Sequence, residues 1–384
     1  MRCNMEEAKE YFGSLLEEQI KRMEEREKNI CHRSADGKIR IAVCGGDGIG
    51  PVITEQSVRV LKYMLSKELE QGKMELHFVE GLTLENRLKQ GRAVPEDVLE
   101  QIRECNILLK GPTATPRQGD FPVNIESANV ALRRELDLFA NIRPVQIERE
   151  EIDWTFFREN TEGSYAVGSK GIELGNNLFV DFTIVTRLSC QRIIRAAFEY
   201  ARKYGKTRVS AITKANIIKA TDGIFLECFY QIAQEYPEIK ADDWYIDIMT
   251  AKILDTRRRK EFQVFVCPNL YGDIITDEAA QLQGGVGTAG SANVGEQYAM
   301  FEAIHGSAPR MVAEGRENYA DPRSMICAVQ MLLNHIDFDE RAKKLQAAMR
   351  VLCSDSRNSG RLTGHSDGIS SSEFVTNLIG ELKI

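Results

Sequence analysis

Apolar and polar positions along this chain follow two periods in turn. Lys38-Ile39-Arg40-Ile41-Ala42-Val43 alternates at its ends and runs into a glycine turn, the pattern of a strand. Phe262-Gln263-Val264-Phe265-Val266-Cys267-Pro268 is an apolar run that reads as a buried strand. Cys190 to Tyr204 carries the period of a strongly amphipathic helix. Such alternation continues and predicts an α/β fold. Residues 164 to 185 depart from it. Gly168, Gly171 and Gly175, with the β-rich run from Leu178 to Val185, predict a strand–turn–strand excursion. Residues 5 to 29 are helical in composition, and Tyr11, Phe12, Leu15, Leu16, Ile20 and Met23 form a narrow apolar stripe among Glu and Lys. That helix either docks on its own subunit or a neighbour, or stands as a solvated arm. His32 to Gly37 reads as a linker. There is no internal repeat or low-complexity tract.

Composition narrows the class. With 384 residues, 43% hydrophobic and 28% charged, the chain can bury a substantial core in two domains. A net charge of −7 argues against nucleic acid as a main partner. No apolar run reaches membrane-spanning length, so no membrane partner is expected. The acidic N-terminus carries no apolar signal core and is not an Arg-rich transit segment. Nine cysteines lack CxxC spacing and read as buried thiols in a reducing compartment, so the expected location is cytoplasmic. The histidines form no metal spacing.

Candidate chemistry begins at Asn269-Leu270-Tyr271-Gly272-Asp273-Ile274-Ile275-Thr276-Asp277, where the buried strand opens into a helix. Asp273 and Asp277 stand four apart, so both carboxylates leave one helical face, in the expected first turn. Either they complement the helix dipole or they hold a divalent cation, and carboxylate oxygens favour Mg²⁺ or Mn²⁺. Ser127, Val130 and Arg133 or Arg134 fall near one face of a second helix. Arginine forks there would bind a di- or tricarboxylate; the alternative is a plain amphipathic helix with surface arginines. Gly285-Val286-Gly287-Thr288-Ala289-Gly290 fits GxGxxG as a string but lacks the strand before it and the helix after it. Gly46-Asp47-Gly48-Ile49-Gly50 follows a strand with the wrong spacing. A Rossmann domain is therefore not expected.

These segments, with Lys110-Gly111-Pro112, Ser127 to Pro144, Arg158 to Gly163, Lys214-Ala215-Asn216 and Glu302 to Pro309, resemble the isocitrate and isopropylmalate dehydrogenase family from about Lys38 to the C-terminus. These are β-decarboxylating dehydrogenases of 2-hydroxy acids. The resemblance implies a large α/β domain (38–138 and 284–384) and a small α/β dimerisation domain (139–283). A clasp at 164–185 grips a second subunit, and residues 1–37 are an added helical extension. It implies that Arg133, Arg143 and Arg158 hold the malate part of the substrate. Ser127 and Asn129 receive a third carboxylate, which favours isocitrate over isopropylmalate, homoisocitrate or tartrate. Glu126 and a longer loop, Pro116 to Pro122, depart from that pattern. Tyr165 falls at the proton-donor position and Lys214 at that of the base. Asp247, Asp273 and Asp277 match the metal aspartates. Lys214 and Asp247 come from the opposite subunit, so the site belongs to a homodimer. Thr115, Asn216, Glu302, His305, Gly306, Ser307, Ala308 and Asp321 fall among the cofactor-binding positions. Arg310 replaces the aspartate usual in NAD enzymes and, with Arg361 and less securely Arg357, favours NADP over NAD. A non-catalytic regulatory subunit is the further alternative, but the catalytic set is retained.

Overall fold

The computed structural model describes residues 2–28, 37–116, 125–168, 170–354 and 361–383. The loop after Pro116 and Arg357 therefore fall partly or wholly outside the described residues. One ten-stranded sheet runs through the molecule. Its strands are β2 (Ile39–Cys44), β3 (Met74–Phe78), β4 (Ile107–Lys110), β5 (Ala140–Ile147), β6 (Ile152–Glu159), β9 (Arg208–Thr213), β10 (Lys240–Tyr245), β11 (Val264–Cys267), β12 (Gly290–Val294) and β13 (Ala299–Ala303). The order is β10-β9-β11-β6-β5-β12-β13-β4-β2-β3. The four strands at each end pair in parallel, while β6-β5-β12-β13 pair antiparallel across the middle. Two parallel blocks thus meet over an antiparallel centre.

Both faces of each block are covered, which explains why the strands read as apolar runs. In β2, Ile41 and Val43 enter one core while Ala42 and Cys44 enter the core on the opposite face. In β11, Val264 and Val266 separate in the same way from Phe265 and Cys267. Trp154, Phe156 and Phe265 pack there, with the last two rings stacked at 4.4 Å. The amphipathic helix forms as Arg187–Lys203, with Thr186 accepting from Ser189 N as its cap.

The excursion is a hairpin, β7 (Ile172–Leu174) against β8 (Leu178–Val180), turning at Gly175 with φ +62°. The short strand β1 (Arg2–Cys3) adds to β7 in parallel. The stretch 285–290 follows the helix Asn269–Gln283 and leads into β12, as expected for a sequence that matches GxGxxG only as a string.

Candidate active site

Strands and the helices that flank them place the predicted arginines and metal acids. Arg143 leaves β5 and Arg158 the end of β6, while the helix Asn269–Gln283 begins just past β11. Gly272 lets Arg158 lie against that helix; a Cβ there would stand 2.4 Å from Arg158 Cγ. Because the helix starts at Asn269, Asp273 and Asp277 occupy its second and third turns. The expectation of a first-turn pair is corrected, and the helix dipole no longer accounts for the two acids, since its effect fades beyond the first turn.

The two carboxylates face arginines. Arg143 Nη1 lies 3.0 Å from Asp277 Oδ1 and Nη2 3.6 Å from Asp273 Oδ1, and Arg158 Nη1 donates to Asp273 Oδ1. Burial would raise the Asp273 carboxyl, but Arg158 and Arg143 outweigh it and hold it below the usual carboxylate range. Burial, then repulsion from Arg133 and Arg143, pushes Arg158 down to about 10. Mutually repelling buried guanidiniums mark a place built to receive anions.

They line a cavity of about 340 Å³ over the antiparallel centre of the sheet, with Ser127, Asn129, Val130, Tyr165, Glu302 and His305 also in its walls. Ser127 precedes the helix Ala128–Glu135, and its side chain makes no cap bond. Thr113 Oγ1 lies 3.1 Å from Asn129 Oδ1, so a hydroxyl donating there leaves the amide donors for a ligand. Arg134 turns away and binds Glu126 through two 3.0 Å bonds, which removes the acid from the anion cavity. Tyr165 Oη donates to Asp273 Oδ2 at 3.0 Å. Burial and the Asp273 charge push its phenol above its ordinary value, so it keeps its proton at neutral pH.

Glu302 is the floor. Its buried carboxylate takes Lys110 Nζ at 3.0 Å, Arg133 Nη2 at 3.3 Å and Asn293 Nδ2 at 2.9 Å. Burial opposes its ionisation, yet Lys110 and Arg133 bring it down to about 2. In this chain Glu302 is thus an internal anchor for Arg133. Lys110 and Asn293 are the partners that sequence reading left without a role.

Residues 40–378 match the family model described as isocitrate/isopropylmalate dehydrogenase. The chain belongs to this family. It is 39% identical over 319 residues to the 3-isopropylmalate dehydrogenase of Methanothermobacter thermautotrophicus, covering 81% of this chain and 90% of that protein. It is 36% identical over 330 residues to the NADP isocitrate dehydrogenase of Rickettsia prowazekii, covering 82% of this chain but 63% of that enzyme. The isocitrate dehydrogenase structure from Methylococcus capsulatus superposes with a TM-score of 0.78 at 33% identity, covering 90% of this chain and all of that one.

The positions expected to bind the cofactor fall in several places here. His305, Gly306, Ser307 and Ala308 form a loop packed on the Gly46–Gly50 turn: Ile49 N donates to Ser307 O at 3.1 Å. Gly48, at φ +62°, would place a Cβ 2.0 Å from that oxygen, so this glycine serves loop packing. His305 Nε2 is buried without a partner beside the cavity, which fits a ligand group on this loop. Thr115 lines a neighbouring cavity of about 490 Å³ with Ile125, Val130 and Tyr165. Asp321 is held by Arg323. Arg310 is 89% exposed and pairs with Glu314 Oε1 at 2.8 Å; Arg361 is exposed.

Lys214 and Asp247 do not line the cavity. They bind each other, Nζ to Oδ1, at 2.6 Å, and Asn216 stays exposed in the same turn. Among the described residues, no group of three His, Cys, Asp or Glu is arranged to hold a metal. Within one chain, Asp273 and Asp277 supply hard oxygen donors of the kind that suit Mg²⁺ or Mn²⁺.

Proposed function

We propose that this protein oxidatively decarboxylates isocitrate to 2-oxoglutarate and CO₂, with NADP as the favoured cofactor over NAD and Mg²⁺ or Mn²⁺ as the metal. The observation that carries the substrate is the pair Ser127 and Asn129 beside Arg133, Arg143 and Arg158 in one cavity. Three carboxylates need more donors than the arginines of a malate site supply, and the polar pair provides them.

A metal held by Asp273 and Asp277 would supply polarisation of the C2 hydroxyl, and a bound nicotinamide would supply the hydride acceptor. The chain's own groups do the rest. Arg133, Arg143 and Arg158 fix the carboxylates. Lys214 takes the hydroxyl proton as the base. Tyr165 gives its phenolic proton to the carbon from which CO₂ has left.

Lys214 and Asp247 lie outside this chain's cavity, so we assign them to the site of a second copy, with Asp247 as the third metal ligand in a homodimer. Ile217, Ile218, Ile248 and Leu254, on the same segments as that pair, are exposed, as are Leu270 and Ile274 on the helix of Asp273. Apolar surface of this kind supports burial between subunits.

One observation favours isopropylmalate instead. Ile125, Val130 and Leu270 offer apolar wall in the cavity next to Ser127. Initial rates on both substrates, each with NADP and with NAD, test the reading. Isocitrate with NADP should be the fastest combination; faster turnover of isopropylmalate would replace the substrate.

A further inference from the structure

The helix Met5–Lys28 precedes the segment that matches the family model. Its apolar stripe divides. Leu15 is buried, and Ala8 and Tyr11 pack with Ile172, Leu174, Val180 and Phe182 at the hairpin. Phe12 stacks on Phe182 at 5.1 Å, and Glu18 pairs with Lys170. Leu16, Ile20 and Met23 remain exposed. The helix is therefore docked on its own chain, and one contact reaches deeper than the rest.

Arg22 Nη2 donates to Glu162 Oε1 at 3.1 Å, and Nη1 donates to the Thr161 carbonyl at 3.3 Å. Glu162 is buried and also accepts from Thr186 N at 2.6 Å and Thr186 Oγ1 at 2.9 Å. Glu159 is buried in the same turn. Its carboxylate accepts from Thr161 N, Thr161 Oγ1 and Glu162 N. Burial, then the Glu162 charge, pushes the Glu159 carboxyl up. Two acids in one buried turn call for a cation, and Arg22 brings one to Glu162.

The other side of this turn is the substrate cavity. Arg158 immediately precedes Glu159, and Tyr165 follows the bend at Gly163, where φ is +76°. The Glu162 carbonyl accepts Asn269 Nδ2 at 3.0 Å, and Asn269 Oδ1 accepts Arg158 Nη2 at 2.6 Å. A continuous line of bonds links Arg22, Glu162, Asn269 and Arg158.

We propose that Arg22 is a positioning residue for the active site: carried by the N-terminal helix, it fixes the turn from Glu159 to Gly163 and so sets Arg158 and Tyr165 against the substrate. The helical extension is then part of the catalytic apparatus. This rests on the roles given above to Arg158 and Tyr165.

The test uses the full chain with Arg22→Gln, Arg22→Lys and the double variant Arg22→Gln/Glu162→Gln. A bond to a buried charge carries enough energy that Arg22→Gln should lower kcat about tenfold, with a raised KM. Arg22→Lys should recover part of the loss. The double variant should recover part as well, because it removes the carboxylate that Arg22 faced and leaves Glu159 as the one acid of the turn. Hydrogen exchange at residues 159–166 should quicken in Arg22→Gln and slow again in the double variant. Exchange reads the turn without substrate, so it decides the proposal even if isocitrate proves the wrong substrate. If Arg22→Gln does not fold, Arg22→Lys should still show a reduced kcat and faster exchange than wild type. Wild-type kcat, KM and exchange in every variant that folds would overturn the proposal, as would a fall in melting temperature with kcat and exchange unchanged.

Discussion

Tyr165 and Asp273 share a hydrogen bond of 3.0 Å, and Asp273 is at the same time the acid that Arg158 grips. One carboxylate therefore orients both the proposed proton donor and an arginine proposed to hold substrate. Because burial and this carboxylate raise the phenol, the proton stays on Tyr165 through neutral pH. Tyr165→Phe should keep the fold and bind substrate, and turnover should fall roughly 10²- to 10⁴-fold. Steady-state kinetics with a substrate-binding titration check this. A near-normal kcat would remove Tyr165 from the chemistry.

Glu302 predicts a pH-dependent stability. Its folded carboxyl sits near 2, below the ordinary 4.5. A depressed acid stabilises the fold above its unfolded value and loses that contribution as pH falls through its folded value. Glu302→Gln leaves Lys110 and Arg133 without their shared anion and should cost about 3–5 kcal/mol at pH 7. Urea unfolding of both proteins should show the gap narrowing as pH falls from about 4.5 toward 2. A gap that is constant with pH would contradict the ion-pair account.

Subunit sharing is tested by complementation. Arg133→Ala disables the cavity of one chain, and Lys214→Ala disables the group assigned to the other. Mixed and allowed to exchange, the two inactive variants should regain activity in heterodimers that contain one intact site. No recovery after verified exchange would place Lys214 in a different role.

Arg310 is committed to Glu314 in this structure. A 2′-phosphate offers a stronger partner, since a charge-assisted bond contributes about 1.5–3 kcal/mol. NADP should therefore be preferred over NAD by at least about tenfold in kcat/KM, less so as salt rises. Arg310→Asp should flatten or reverse the preference, and Glu314→Gln should strengthen it by freeing the guanidinium. A wild-type preference for NAD would end this assignment while leaving the reaction untouched.

Much of this was legible in the sequence for a physical reason. β2 and β11 are buried on both faces, so they read as apolar runs, and Asp273 and Asp277 share a face because four residues make about one helical turn. The roles of Glu302 and Lys110 were not legible. They meet only because β13 lies beside β4, a pairing across nearly two hundred residues that no local pattern records. Arg134 and Arg133 are neighbours in sequence with equal claims on the cavity, and only packing sends one to Glu126 and the other to Glu302. The apolar stripe left residues 5 to 29 as either a docked helix or a solvated arm, and Arg22 reaching Glu162 depends on where the hairpin carries that helix.

The central claim is that Ser127 and Asn129 select a third carboxylate. It is tested most directly by kcat/KM for isocitrate and for isopropylmalate, measured side by side in wild type and in Ser127→Leu/Asn129→Leu. Wild type should favour isocitrate by at least about a hundredfold, as expected when buried polar groups are left unpaired by the wrong substrate. The double variant should lose most of that ratio. A wild-type ratio below one, or a ratio that the double variant leaves unchanged, would contradict the account.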